Sequence, residues 1–180
     1  AANLMDANKK IVRDAYTAVA SRYLQWSRPS KIRSHFLEAF LKGLPDDAVV
    51  LELGCGAGLP VTKELTARCG RVTAIDISPR QIALARKNAP AATYFCADIM
   101  ALEFPNACFD AVCAFYAVTH LPREEHSALF RHVARWLKPA GLFLSSLGVT
   151  GANGTVDDWL GAPNFFSHYD KGQTLRLLQD

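Results

Sequence analysis

The sequence predicts an α/β fold, in which helices cover both faces of a doubly wound, mainly parallel sheet. The first observation is that short strand-like runs alternate with helical segments from residue 48 onward. The second is that these runs are apolar on both faces, which is typical of parallel strands buried on both sides. The third is a glycine-rich turn, residues 54–58, at the end of the first run, where doubly wound sheets bind ligands.

Two helices are predicted in front of the sheet. Residues 6–26 carry one apolar stripe at helical spacing, formed by Ile11, Ala15, Val19, Tyr23 and Trp26. After Pro29, Ser30 is expected to cap a second helix. The residues of this helix that are expected to face inward are Ile32, Phe36, Phe40 and Leu44.

The first three strands alternate with short helices. The strands are predicted over 48–53, 71–76 and 92–98. A helix is expected to begin near Leu59. Ser78 is expected to cap the next helix, because it is followed by proline at the first helical position and glutamine at the third.

The second half continues the same alternation. A fourth strand is predicted over 109–118, a helix over 122–138 and a fifth strand over 141–147. Residues 148–168 are predicted to form a loop, and Asp170 is expected to cap a short last helix. The loop is a candidate wall of a substrate pocket, because it carries Trp159, Phe165 and Phe166.

Length and composition are those of one ordinary globular domain. Half of the 180 residues are hydrophobic, and we expect a single domain with helices in 1–46 and a core in 47–180. The net charge of +3, with scattered basic residues, argues against nucleic-acid binding. No membrane span and no signal peptide are predicted. Five cysteines without metal-ligand spacing suggest reduced thiols, no metal site and a cytoplasmic protein.

The turn after the first strand carries the clearest chemical signal. Glu52 lies inside that strand, and Asp76 ends the next strand, 20 residues after Gly56. Glycines let a ligand approach the main chain, and a carboxylate at this spacing can accept hydrogen bonds from ribose hydroxyls. A dinucleotide fingerprint would need glycine in place of Leu59, and Glu52 would repel a pyrophosphate. The positively charged S-adenosylmethionine therefore fits better than a nicotinamide dinucleotide.

Five blocks of the chain carry a resemblance to a known family. They are YTAVASRY (16–23), LELGCGAG (51–58), VTAIDISPRQIALAR (72–86), FCADIMALEFPNACFDAVCAFYAVTHL (95–121) and WLKPAGLFLSS (136–146). In this order they resemble the class I S-adenosylmethionine-dependent methyltransferases, particularly the small-molecule branch of the ubiquinone and menaquinone biosynthesis type. The resemblance implies a Rossmann-like fold with its first helix over the cofactor. It also implies transfer of a methyl group to a small-molecule acceptor, with S-adenosylhomocysteine as product.

The resemblance implies eight cofactor-binding residues, which are Glu52, Gly54, Gly56, Asp76, Ile77, Asp98, Ile99 and Phe115. The glutamate and the glycines would hold the methionine end, and Asp76 the ribose. Asp98 would accept a hydrogen bond from the adenine amino group, between flanking isoleucines. The carbonyl of Phe115 would lie near the ammonium group.

The acceptor side is less constrained by the sequence. Displacement at a sulfonium methyl depends mainly on alignment, and a base is needed only if the acceptor must lose a proton. His120 is the candidate base, and packing at a helix start is the alternative. The candidate substrate-binding residues are Tyr16, Tyr23, Tyr116 and His168. Core packing is the alternative for the first two, and packing at a helix start for the histidine.

The chain departs from the resemblance after its last helix. Family members usually continue into an antiparallel hairpin that closes the sheet, whereas this chain stops at RLLQD. Either this sequence is truncated, or these strands are lost. If they are lost, the fifth strand is expected to present an open edge, which favours a homodimer, another partner or reduced stability. A non-catalytic S-adenosylmethionine-binding or partner-binding module is the alternative function. An NAD-dependent oxidoreductase is a third hypothesis, disfavoured by Leu59 and Glu52.

Overall fold

The computed structural model describes residues 5–27 and 30–179, and it contains the predicted parallel sheet. The strands are β1 Val49–Leu53, β2 Arg71–Asp76, β3 Thr93–Cys96, β4 Phe109–Ala114 and β5 Leu137–Ser145. All neighbours are parallel, and the order is β3-β2-β1-β4-β5. The direction of winding thus reverses between β1 and β4. The doubly wound, Rossmann-like fold is confirmed.

The helices lie close to their predicted positions. They are α1 Ala7–Trp26, α2 Lys31–Lys42, α3 Val61–Arg68, α4 Pro79–Asn88, α5 His126–Trp136 and α6 Lys171–Leu177. The predicted caps of three helices are present: the side chains of Ser30, Ser78 and Asp170 each accept a hydrogen bond from a backbone N–H of the first turn. Within the described residues, no helix combines the length and hydropathy that crossing a bilayer requires.

Buried apolar side chains pack on both faces of the central strands. Leu51 and Val112 are fully buried on the face covered by α5, where they pack in one cluster with Trp136. Val50 is fully buried on the opposite face, in a cluster with Leu65 of α3. Burial of each such side chain contributes about 1.5–3 kcal/mol. The carboxyl ends of β1 and β4 are therefore held rigidly beside each other.

The prediction of a loop over 148–168 is wrong, because this segment contains a β-hairpin. Strands β6 Ala152–Trp159 and β7 Ala162–His168 pair antiparallel and form a separate two-stranded sheet. The antiparallel hairpin was not predicted, but it precedes the last helix and forms its own sheet, so it is not the sheet-closing hairpin that was expected to be absent. The hairpin lies before α6 and packs against α1, so β5 remains at the edge of the main sheet.

The predicted inward faces of the two front helices need correction. Ile32 and Phe36 are 70% and 51% exposed, and α2 instead buries Arg33, Leu37, Phe40 and Leu41. Trp26, at the end of α1, is 63% exposed. Helix α2 carries two apolar stripes about one residue apart, and its packing on the sheet selects the stripe that turns Arg33 inward.

Candidate active site

Three adjoining cavities lie at the carboxyl ends of β1, β2 and β4. The nucleoside cavity, of about 90 Å³, extends from the glycine turn to Asp98. The glycine-turn cavity, of about 40 Å³, includes Glu52. The aromatic cavity, of about 320 Å³, lies beneath α1 and the hairpin. All eight residues that the resemblance marks for cofactor binding line the first two cavities.

The glycine turn and Asp76 are joined by main-chain hydrogen bonds. The N–H of Gly56 donates to one carboxylate oxygen of Asp76 at 2.8 Å, and the N–H of Ser78 donates to the other at 2.9 Å. These bonds use one lone pair on each oxygen, so the remaining lone pairs can accept from a ligand. Sequence spacing alone placed this carboxylate correctly at the strand end.

Gly54 and Gly56 provide a matched pair for testing the turn. Both have positive φ, +74° and +54°, so alanine at either position costs about 1–2 kcal/mol in backbone strain. A Cβ on Gly54 would lie 2.4 Å from the Cβ of Ala117, whereas one on Gly56 would meet nothing within 4 Å. We expect Gly54→Ala to destabilise the fold by about 1–3 kcal/mol more than Gly56→Ala, measured by denaturant unfolding. Equal losses would contradict this close approach of the backbone.

Glu52 is a buried carboxyl at the base of the glycine-turn cavity. It is 3% exposed, and one of its oxygens accepts a 2.6 Å hydrogen bond from the hydroxyl of Thr62. Burial raises the pKa of Glu52 to about 8, although the bond from Thr62 opposes this. Burial likewise raises the pKa of Asp76 to about 6, against the two main-chain hydrogen bonds. A cationic ligand in these cavities would stabilise both ionised forms.

A buried lysine that the sequence analysis missed closes the nucleoside end. The ammonium group of Lys9 lies 2.7 Å from Asp98 and 2.6 Å from Glu125. Burial lowers the pKa of Lys9, but the hydrogen bonds to the two carboxylates outweigh burial and raise it. The other oxygen of Asp98 accepts from the N–H of Met100. This ion-pair network fastens α1 over the cavity.

His120 and Tyr16 form a buried pair between the nucleoside and aromatic cavities. The Tyr16 hydroxyl lies 2.8 Å from Nε2 of His120, and Nδ1 lies 2.7 Å from the carbonyl oxygen of Phe165. A carbonyl only accepts, so Nδ1 carries the proton and Nε2 of the neutral ring accepts from Tyr16. Burial lowers the pKa of His120 to about 4.

Arg33 is a second functional candidate absent from the sequence analysis. It is 7% exposed and lines both the glycine-turn cavity and the aromatic cavity. One terminal nitrogen donates to the carbonyl of Ser27 at 2.9 Å, while its buried Nε has no hydrogen-bond partner among the described residues. A buried guanidinium with an unused donor is suited to an anionic group. The only sequence signal was its place on an amphipathic helix, where the opposite stripe looked more apolar.

The other acceptor-side predictions have different outcomes. Tyr16, Tyr23 and Tyr116 line the cavities together with His120, as the sequence analysis expected. His168 does not line them. It ends β7 and lies against Gly148, so its role in substrate binding stays a prediction that the lining of these cavities does not support.

Comparison with known proteins identifies the family of this architecture. Residues 50–141 match the family described as methyltransferase domain. The chain is 37% identical over 98 residues to the 27-O-demethylrifamycin SV methyltransferase of Amycolatopsis mediterranei, an alignment that covers 51% of this chain and 35% of that protein. It is 35% identical over 120 residues to the ubiquinone biosynthesis O-methyltransferase of Methylocella silvestris, covering 59% and 45%. The chain thus spans less than half the length of these relatives.

Solved structures show the same fold at lower sequence identity. The structure of DhpI with S-adenosylhomocysteine has a TM-score of 0.71 and 22% identity, and covers 96% of this chain and 86% of that one. An S-adenosylmethionine-dependent methyltransferase from Mesorhizobium loti has a TM-score of 0.61 and 24% identity, with coverages of 79% and 78%.

Proposed function

The chain belongs to the S-adenosylmethionine-dependent methyltransferases of class I, and we propose that it transfers a methyl group from this cofactor to a small-molecule acceptor. One observation carries the proposal. Glu52, Asp76 and the glycine turn line one group of adjoining cavities, which the hydrogen-bonded pair of Tyr16 and His120 also lines. An NAD-dependent oxidoreductase is disfavoured, because the acidic Glu52 borders the turn where a pyrophosphate would lie.

The residues of the two smaller cavities suit the chemistry of the cofactor. Glu52 and the carbonyl of Phe115 would face the ammonium group, and the unused donor of Arg33 would pair with the methionine carboxylate. Asp76 would accept from the ribose hydroxyls through its free lone pairs. Asp98 would accept from the adenine amino group, between Ile77 and Ile99.

The proposed role of the protein is to orient the acceptor and to take up its proton. The bound cofactor supplies a methyl group on a cationic sulfonium, which is already a good leaving group. His120 is neutral at pH 7 and, through Tyr16, can receive a proton from an acceptor hydroxyl. The helix α1 and the hairpin cover this pair and exclude water from it.

The relatives support a small-molecule acceptor. One is named for an O-methylation of a rifamycin and another for an O-methylation in ubiquinone biosynthesis. Several others are named sterol 24-C-methyltransferases, so the class of acceptor differs among them. We therefore propose a small organic acceptor, which enters through the aromatic cavity.

Calorimetric titration with S-adenosylmethionine at pH 6 and at pH 8 tests the proposal. The pKa of Glu52 in the folded, ligand-free protein is about 8, against 4.5 as its ordinary value. A cationic ligand stabilises the ionised form, so we expect affinity to rise by about tenfold from pH 6 to pH 8. A matched titration with NAD is expected to show no binding. Binding of NAD in place of S-adenosylmethionine would overturn the assignment.

The Glu52→Gln variant is the control for the pH effect. It keeps the shape of the side chain but cannot ionise, so the rise in affinity between pH 6 and pH 8 should largely disappear. The stability of the ligand-free protein changes with pH in the opposite direction to cofactor affinity. Because the folded pKa is raised, Glu52 favours the folded state of the ligand-free protein below pH 4.5, and this contribution is lost as the pH rises through about 8. If the affinity of the variant for S-adenosylmethionine still rises as much between pH 6 and pH 8, another ionisable group causes the rise.

Three finer assignments stay proposals. A cytoplasmic location is suggested by the five cysteines, which are all free. A homodimer through the β5 edge follows from the position of this strand at the side of the sheet. The division into helices over 1–46 and a core over 47–180 rests on the sequence. The proposal that the protein does not bind nucleic acid rests on the sequence as well.

A further inference from the structure

Five of the aromatic rings that line the aromatic cavity come from two separate elements, the helix α1 and the hairpin. Helix α1 contributes Tyr16, Tyr23 and Trp26, and the hairpin contributes Trp159 and Phe166. The ring of Trp159 lies 5.0 Å from that of Tyr16 and 5.6 Å from that of Tyr23, between centroids. At such distances aromatic rings interact favourably beyond simple burial of area, and a flat aromatic guest can add to the cluster. The wall therefore favours an aromatic body over a saturated one.

The hydrogen-bonding direction at the end of this cavity is set by the protein itself. Nδ1 of His120 must donate to the carbonyl of Phe165, so Nε2 accepts the single proton of the Tyr16 hydroxyl. The oxygen of Tyr16 then has only lone pairs, and no proton, to offer, and a guest shares them with the neighbouring side chains of Tyr23 and Asn164. The group that it recognises is a hydrogen-bond donor, which is either a hydroxyl or an amine.

The charges around the cavity distinguish these two donors. Among the described residues that line it there is no aspartate or glutamate, and the one side chain of fixed charge is the cationic Arg33. A protonated amine would lose its hydration there without a counter-ion and beside a like charge, which is costly. A neutral hydroxyl pays no such cost, because it needs only the lone pair of Tyr16.

From these three observations we infer that the acceptor is a neutral aromatic hydroxyl compound, a phenol, which binds with its ring among the five aromatic side chains and its hydroxyl donating to Tyr16. The inference rests on the proposed function and names its acceptor class. Relatives with other acceptors do not contradict it, because the wall comes from α1 and the hairpin, largely outside the matched family region of 50–141.

Calorimetry with three probes of similar size tests the inference. The purified chain is first saturated with S-adenosylhomocysteine, and this titration is recorded separately. It is then titrated with 2-naphthol, with the saturated alcohol 2-decalol and with the cation 2-naphthylmethylammonium. We expect 2-naphthol to bind at least about tenfold more tightly than either of the others.

Removal of the Tyr16 hydroxyl tests whether this group binds the hydroxyl of 2-naphthol. Tyr16→Phe should weaken the binding of 2-naphthol by about 3- to 10-fold, and it should leave S-adenosylhomocysteine binding within about twofold. Tyr94→Phe is the matched control. Its hydroxyl is buried and donates to the carbonyls of Ala85 and Ala89, away from the aromatic cavity, so its loss should not change naphthol binding.

Each outcome decides the matter. Equal or tighter binding of the ammonium probe would overturn the preference for a neutral hydroxyl. Equal binding of 2-decalol would overturn the preference for an aromatic body. An unchanged naphthol affinity in Tyr16→Phe would overturn the role of Tyr16. If S-adenosylhomocysteine binds and none of the probes does, the acceptor class is wrong while the methyltransferase assignment stands. If S-adenosylhomocysteine itself does not bind, the proposed function fails, and the inference fails with it.

Discussion

Replacement of His120 by asparagine is expected to lower the rate of methyl transfer to a hydroxyl acceptor by about 10²- to 10⁴-fold, the usual contribution of a positioned base. The ring is neutral across pH 6–8, because burial lowers its pKa to about 4, and its Nε2 lone pair is directed at the Tyr16 hydroxyl. Asparagine can keep a hydrogen bond to the carbonyl of Phe165 but cannot take up the proton. The measurement is single-turnover formation of S-adenosylhomocysteine with 2-naphthol.

His126→Asn is the matched control for this substitution. His126 is also buried, at 1% exposure, and its Nε2 lies 3.2 Å from the carbonyl of Leu121, but it lines none of the three cavities. We expect this variant to lose stability and to keep its rate. Cofactor affinity should change by less than about threefold in His120→Asn, since His120 is not among the proposed cofactor ligands. A rate within tenfold of the parent protein would show that His120 only packs beneath the helix α1.

Loss of the Asp76 carboxylate is the second large effect. We expect Asp76→Ala to weaken S-adenosylmethionine binding by about 1–3 kcal/mol, or roughly 5- to 150-fold, because hydrogen bonds to the ribose hydroxyls disappear. The N–H groups of Gly56 and Ser78 also lose their acceptor, so part of the loss will come from a looser turn. Titration calorimetry at pH 8, where the carboxylate of the parent protein is ionised, measures the effect.

Asp110→Ala separates the two parts of this effect. Asp110 also accepts a main-chain hydrogen bond, from the N–H of Val49 at 2.8 Å, and it pairs with Lys138 at the opposite end of the sheet. Its loss should reduce stability without changing cofactor affinity. Unchanged affinity in a folded Asp76→Ala protein would contradict the cofactor assignment. A similar loss of affinity in both variants would attribute it to general loosening of β1.

The features that the sequence predicted well are those decided by local chemistry. The glycine turn, the acid at the end of β2 and the helix caps each depend on a few adjacent residues, because backbone sterics and short-range hydrogen bonds allow few alternatives. Ser78, for example, caps α4 as expected. The strands β1 and β4 were predicted equally well, because a run that is apolar on both faces fits the interior of a parallel sheet, where helices cover both faces.

The features that the sequence did not reveal depend on tertiary packing. Strand β6 is exposed along most of its length and lacks alternation of apolar residues, and the hairpin turns at Leu160–Gly161, where leucine adopts a positive φ that normally favours asparagine or glycine. Lys9 is buried because Asp98 from a distant segment pairs with it, and Arg33 is buried by the packing of α2. No local pattern distinguishes such residues from solvent-exposed cations.

The separate hydrogen bonding of the hairpin has a consequence for the evolution of the family. Strands β6 and β7 share no ladder with the five-stranded sheet, so substitutions in Trp159 or Phe166 would change the proposed acceptor wall without disturbing the register of the strands around Glu52 and Asp76. New acceptors can be acquired by mutation in one small unit, while the cofactor machinery stays under its own constraints.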